Sequence, residues 1–273
     1  MNEPGYEDLE ELRRVAYRIA GEAAAYLRDL ACSDESLAKS LGGETVLADA
    51  IAEDYIISAL HEELGQVRVV TEEKGVVGKG DITAVVDPLD GSKNYLNCIP
   101  WASVSIAFAP TGGTLNDVLA GAVAPIFYGD IISFARGGGC RIGHYRIREK
   151  GEPQKYVFVY IDHPEAAELV ARTIALLGGG YKVRSLGSAA LELAYTGLRR
   201  ATMFLDLRSK LRNVDVAAAF GIIRECGGFV RVIEGREQDI SIDRVVRVGN
   251  ILATPTPDVY KKLDNLFRKI FTS

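Results

Sequence analysis

The sequence predicts an α/β protein, α+β in its first half and α/β in its second. Three observations carry this reading. Two long segments near the start repeat apolar residues at helical spacing. Residues 66–136 break into short runs rich in β-branched and small apolar residues. Beyond residue 156 such runs alternate with helical patterns.

The first helix is expected over residues 7–30, where Leu9, Leu12, Val15, Ile19, Ala23 and Leu27 share a face. Residues 32–45 lose the pattern and carry Ser33, Ser36, Gly42 and Gly43, so they read as a loop. A second helix is expected over 48–64, with Ile51, Ile56, Leu60 and Leu64 inward. Strands are expected at 66–71 and 82–87, joined by a Gly-rich turn, then at 102–109, 119–124 and 131–136. Gly137-Gly138-Gly139 reads as a tight turn between strands, because no helical pattern follows it as a phosphate loop would require. Residues 147–155 are charged and contain Gly151 and Pro153, which makes them the candidate boundary between parts 1–150 and 151–273. The second part reads as strand 156–161, helix 164–177, strand 181–185, helix 188–197 and strand 201–206. A helix at 215–226, strands near 228–233 and 245–253, and a helix at 257–271 complete it.

Composition removes several classes of function. A chain of 273 residues with 48% apolar and 25% charged residues can bury a sizeable core. A net charge of -5 gives no general attraction to nucleic acid or anionic lipid. No apolar run approaches the ~20 residues that span a bilayer. The start, Met1-Asn2-Glu3-Pro4, is too polar for a signal peptide. Cys32, Cys98, Cys140 and Cys226 form no C-x-x-C pair, which speaks against zinc and for reduced, buried thiols in the cytoplasm. Few Met, Gln and Asn residues lean toward a thermophilic source.

The chemistry concentrates in Val85-Val86-Asp87-Pro88-Leu89-Asp90-Gly91-Ser92-Lys93-Asn94-Tyr95. An apolar strand ends on one aspartate, and a second follows three residues later. Pro88 fixes one dihedral and lacks an N–H, so both carboxylates can turn toward one point. Converging carboxylates repel, so one keeps its proton or a cation sits between them. Hard oxygen ligands favour Mg²⁺, Ca²⁺ or Mn²⁺. The Gly91-Ser92 backbone suits a phosphate oxygen. Together they point to phosphoryl-transfer or phosphate-ester chemistry.

Further carboxylates fit the same site. Glu72 and Glu73 follow the strand ending at Thr71; a solvated turn is the plain account, but adjacent strands would set Glu72 beside Asp87. Asp49 opens the second helix, where it either favours the helix dipole or serves the site. Asp215 starts the alanine-rich helix that ends near Gly227-Gly228, where it either caps the helix or binds a ligand. His61, His144 and His163 lie outside every motif.

In order and spacing these segments resemble the inositol monophosphatase family, which shares its fold with fructose-1,6-bisphosphatases. The resemblance rests on Glu72-Glu73, Asp87 through Tyr95, Gly187-Ser188-Ala189-Ala190, Asp215-Val216-Ala217-Ala218 and Gly227-Gly228. It implies a layered α-β-α-β-α sandwich. It also implies metal ligands at Glu72, Asp87, the Leu89 carbonyl, Asp90 and Asp215, for two or three Mg²⁺, or Mn²⁺. Gly91 and Ser92 match the phosphate turn, and Asp49 matches a residue that helps hold the attacking water. Glu72, Ser92 and Asp49 would orient or deprotonate that water. Asp90, Arg184, Gly187, Ser188, Ala189, Asp206 and Arg208 fall at substrate-binding positions, and Lys39 falls in a loop that closes over the site. Phe204-Leu205-Asp206-Leu207-Arg208 resembles the archaeal branch, whose members often act on both inositol phosphate and fructose 1,6-bisphosphate; Arg208 then contacts substrate. Val214 stands where the family usually has tryptophan, and Thr71 where glycine is common. The rival readings are a 3'(2'),5'-bisphosphate nucleotidase, an NADP phosphatase and a non-catalytic phosphate-ligand sensor. The resemblance also implies a homodimer or tetramer.

Overall fold

The computed structural model describes residues 6–33, 47–147, 151–234 and 239–271. Helix α1 (Tyr6–Leu30) and α2 (Leu47–Leu64) precede β1 (Arg68–Thr71), β2 (Gly75–Gly78) and β3 (Ile82–Asp90). A short helix α3 (Ser92–Leu96) leads to β4 (Ser103–Pro110), β5 (Ala120–Pro125), β6 (Ile132–Ala135), β7 (Gly139–Ile142) and β8 (Tyr145–Arg146). Then come β9 (Tyr156–Tyr160), α4 (Pro164–Leu176), β10 (Lys182–Arg184), α5 (Ala189–Gly197) and β11 (Met203–Asp206). Helix α6 (Asn213–Glu225), β12 (Phe229–Val232), β13 (Ile251–Thr254) and α7 (Pro257–Phe271) close the chain. The loop expected around Lys39 lies outside the described residues.

The first eight strands form one sheet in the order β2-β1-β3-β4-β5-β6-β7-β8, antiparallel except for the β1–β3 pair. The second sheet runs β10-β9-β11-β13-β12. Helices α1 and α2 cover one face of the first sheet, α5 and α6 lie between the sheets, and α4 and α7 cover the outer face of the second. The order is therefore α-β-α-β-α, as the resemblance implies.

Strand periodicity explains the layering. Side chains alternate between faces, so a strand covered on both sides reads as a continuous apolar run. Ala84 and Val86 pack toward α1 and α2, while Val85 packs into the central layer. On β11, Phe204 joins the central layer and Met203 and Leu205 face α7. The central core draws on both parts of the chain. Helix α6 lies unusually close to the first sheet: a Cβ on Gly221 would sit 1.9 Å from the Phe134 ring. This close approach explains the run of small residues at 217–219.

The expected reduced thiols are corrected. Cys32 is joined to Cys98 and Cys140 to Cys226, with Cα atoms 5.6 and 5.4 Å apart, inside the range a disulfide spans. The partners stand 66 and 86 residues apart, so local spacing could not reveal them. The argument for a reducing compartment falls with the thiols. Among the described residues no helix is long and apolar enough to cross a membrane.

Candidate active site

Parallel pairing of β1 with β3 sets Thr71 opposite Val86, so the next residues, Glu72 and Asp87, emerge side by side. In a regular strand Asp87 and Asp90 would point to opposite faces. A bulge corrects the phase: Pro88 and Leu89 together oppose Val104, between the pairs Asp87–Ser105 and Asp90–Ser103. Proline is tolerated there because it owes the ladder no hydrogen bond. The Leu89 N–H instead donates to Asp87 Oδ1 at 3.0 Å. Helix α6 crosses the same sheet and brings Asp215 from its first turn.

The result is a cluster. Carboxylate oxygens of Glu72, Asp87 and Asp215 all lie within 4.8 Å of one another. Asp49, in the first turn of α2, is buried beside them, and its Oδ1 has no hydrogen-bond partner among the described residues. Burial pushes the Asp49 carboxyl up to about 8, and the charges of Glu72, Glu73 and Glu53 add to that rise against the pull of Arg212. Burial also holds Asp87 well above the usual carboxylate range, reinforced by Asp90, Asp215, Glu72 and Asp49. Asp215 is raised by burial and held back by Arg212.

Asp90 is used differently. Its Oδ2 accepts the Ser188 hydroxyl at 2.5 Å and the Ala190 N–H at 2.8 Å; its Oδ1 accepts the Ala189 N–H at 3.2 Å. It thus caps α5 from across the central layer, and a negative charge suits that helix terminus. Burial raises it to about 7 despite these donors.

Two residues escaped sequence reasoning. Arg212 Nη2 donates to Glu72 Oε2 at 2.5 Å and to Asp215 Oδ1 at 3.3 Å, and its backbone N–H donates to Asp215 Oδ2 at 2.8 Å. The available signal was a cation at a helix start, three residues before a carboxylate. Buried Glu53 accepts the Thr71 hydroxyl at 2.7 Å and the Glu73 and Lys74 N–H groups at 3.3 and 3.2 Å. It pins the turn that carries Glu72. Its signal was the four-residue spacing from Asp49, which puts both on one helix face. The Thr71 departure from glycine therefore has a partner.

The far wall joins both parts of the chain. Gly91 has φ +89°, and a Cβ there would meet the Trp101 and Gly187 carbonyls at 3.0 and 3.1 Å. Ser92 opens α3 directly behind it. Asn94 Nδ2 donates to the carbonyls of Trp101 at 2.8 Å and Leu186 at 2.6 Å. The Gly187 N–H donates to Tyr160 Oη at 2.6 Å. Arg208 lies over the Tyr160 ring, 4.2 Å from its centre, and its Nη2 holds Asp206 Oδ2 at 2.6 Å. Asp206 is fully buried under that fork, so it orients Arg208 instead of facing a ligand. Arg184 is not gathered in with these groups: it is exposed, and its guanidinium turns back over the Tyr156 ring, 5.5 Å from the centre. Leu89 is buried within the bulge.

The donor set suits hard divalent cations. It is all oxygen, Asp87 and Asp215 are buried and Glu72 half-buried, its members repel one another, and one oxygen at Asp49 lacks a partner. Five layers with such a cluster where β1, β3 and α6 meet match the arrangement that the resemblance implies. The sequence profile of the inositol monophosphatase family matches residues 8–271, and the chain belongs to that family. It is 50% identical over 254 residues to an inositol-1-monophosphatase of Aeropyrum pernix, covering 90% of this chain and 94% of that protein. It is 34% identical over 228 residues to a fructose-1,6-bisphosphatase/inositol-1-monophosphatase of Methanothermobacter thermautotrophicus, covering 78% of this chain and 79% of that one. A Pyrococcus horikoshii structure described as similar to inositol-1 monophosphatase superposes with a TM-score of 0.78, at 26% identity, over 93% of this chain and 97% of that chain.

Proposed function

We propose that the chain hydrolyses inositol 1-phosphate, fructose 1,6-bisphosphate or both, with Mg²⁺ as the working cation. The approach of Glu72, Asp87 and Asp215 to within 4.8 Å carries this reading. These three, with Asp90 and the Leu89 carbonyl, would hold two or three ions. Bound there, the ions supply charge neutralisation for the phosphate and activation of water. The protein's own groups do the rest. Asp49 Oδ1 is the acceptor that orients the attacking water, with Glu72 and Ser92 beside it. The Gly91-Ser92 backbone receives phosphate oxygens. Arg208, held flat by Asp206 and Tyr160, binds a second phosphate or a ring hydroxyl. Ser188, Ala189 and Gly187 bring the α5 terminus against the substrate through Asp90. Residues 1–150 would thus carry the phosphate turn and the metal ligands other than Asp215, and residues 151–273 would complete the pocket with Asp215. A homodimer is the assembly we expect.

The test is phosphate release from inositol 1-phosphate, fructose 1,6-bisphosphate, 3'-phosphoadenosine 5'-phosphate and NADP, in Mg²⁺ and in excess EDTA. Mg²⁺-dependent turnover of the first two supports the proposal. Full turnover in EDTA, or activity confined to the nucleotides, overturns it.

A further inference from the structure

One cation in the site belongs to the protein itself. Arg212 Nη2 touches two of the three clustered carboxylates, Glu72 at 2.5 Å and Asp215 at 3.3 Å. Its backbone is fixed, because its N–H is tied to Asp215 Oδ2 at 2.8 Å at the start of α6. Among the described residues its side chain is held only by the two carboxylates, and it borders solvent, with 32% of it exposed. A positive charge at a helix start opposes the helix dipole, so the carboxylates are what hold it there.

We propose that Arg212 is a built-in counter-cation: in the metal-free protein it holds Glu72 and Asp215 together, and a divalent ion must displace it to use the same oxygens. The inference rests on the metal site proposed above. Mg²⁺ demands its oxygens at about 2.0–2.1 Å in near-octahedral array. A guanidinium nitrogen lying between Glu72 Oε2 and Asp215 Oδ1 occupies the space and the lone pairs that such an arrangement needs. Two positive charges would also repel across the few ångströms involved. Arg212 therefore lowers metal affinity while it stabilises the empty site. The long side chain lets it withdraw into solvent without moving α6. A strut that merely held the turn to the helix would help the metal-loaded and metal-free proteins alike. Displacement predicts opposite effects in the two states.

The experiment uses the full chain stripped with EDTA and titrated with Mn²⁺, free ion being read by electron paramagnetic resonance, alongside thermal melts with and without Mn²⁺. Arg212→Ala should bind Mn²⁺ more tightly, on the order of tenfold, the size of losing one half-buried ion pair. Its metal-free melting temperature should fall while its Mn²⁺-saturated one does not, so the metal-induced shift widens. A variant that folds only with Mn²⁺ present counts the same way. Arg212→Lys keeps the charge but loses the fork, and should fall between. If Arg212→Ala fails to fold in either state, Arg212→Lys decides: tighter Mn²⁺ binding than wild type supports the inference. Equal or weaker Mn²⁺ binding by the variant that folds overturns it, as does an equal loss of melting temperature with and without Mn²⁺. Absence of Mn²⁺ binding by the wild type would strike the metal site itself, a distinguishable failure.

Discussion

Stripped of divalent ions, the protein should lose stability as pH rises from 6 to 8. Asp49 is raised from an ordinary 3.8 to about 8 and Asp90 to about 7, in both cases chiefly by burial. In the unfolded chain both are ionised above about pH 5. The folded state therefore binds protons that the unfolded state has released, and its stability falls as pH climbs toward the folded pKa. Each pH unit costs about 1.4 kcal/mol per proton. Two units for Asp49 and one for Asp90 come to about 4 kcal/mol. For a chain this size, about 2 °C per kcal/mol makes that a drop of roughly 8 °C. Saturating Mg²⁺ should flatten the slope, because cations replace the protons the cluster retains. Calorimetric melts at pH 6, 7 and 8, in EDTA and in Mg²⁺, read both effects. Asp49→Asn should make the slope in EDTA shallower, the raised Asp87 and Asp90 carrying the remainder. A melting temperature that is flat or rising across this window without metal, and unchanged in slope by Asp49→Asn, would refute the reasoning.

Glu53→Ala removes the acceptor for three donors at the turn carrying Glu72. It should cost about 3 kcal/mol in urea unfolding and weaken Mn²⁺ binding in the same titration as above. Arg208→Leu strands buried Asp206 without a counter-charge, which should cost about 3–5 kcal/mol. It should also raise KM for fructose 1,6-bisphosphate more than for inositol 1-phosphate, checked by steady-state kinetics. The Cys140–Cys226 bridge closes a separation of 86 residues, for which chain entropy gives roughly 4–5 kcal/mol. Replacing both Cys140 and Cys226 by alanine, which opens this bridge alone, should lower the melting temperature by roughly 8–10 °C. Thiol titration in denaturant should find four groups only after reduction.

How far the sequence was legible depended on the reach of each interaction. The Asp87–Tyr95 string encodes its own turn, so its residues could be assigned locally. Glu72 could be placed because β1 and β3 are adjacent in the sheet and separated in sequence only by the short connection that holds β2. Residues 82–87 were legible as a strand, but the bulge that carries β3 on to Asp90 was not, because Pro88 and Gly91 read as strand breakers. Short β2, α3 and β8 left too little periodicity to detect. Arg212 and Glu53 act through side chains reaching 140 and 18 residues along the chain, and pattern says nothing about such partners. The same holds for the disulfides. The order of the second sheet depends on β12 and β13 pairing across a long connection, which local propensity does not specify.

The carboxylates of this site are not equally compensated, and the structure grades them. Asp90 has the α5 terminus, with two N–H groups and a hydroxyl, and rises only to about 7. Glu72 and Asp215 share the Arg212 guanidinium. Asp87 is as buried as Asp90 yet accepts only the Leu89 N–H among the hydrogen bonds described, and it is pushed well above the carboxylate range. Asp49 Oδ1 accepts none. Asp87 lies within reach of both Glu72 and Asp215, so a cation drawn first to the least compensated charge arrives beside the pair that Arg212 holds. On the proposed metal site, the first ion to bind would be the one that competes with Arg212, and ions that follow would meet carboxylates already released from it. Metal loading on this arrangement should be cooperative, and the Arg212→Ala titration should lose that cooperativity together with the affinity difference.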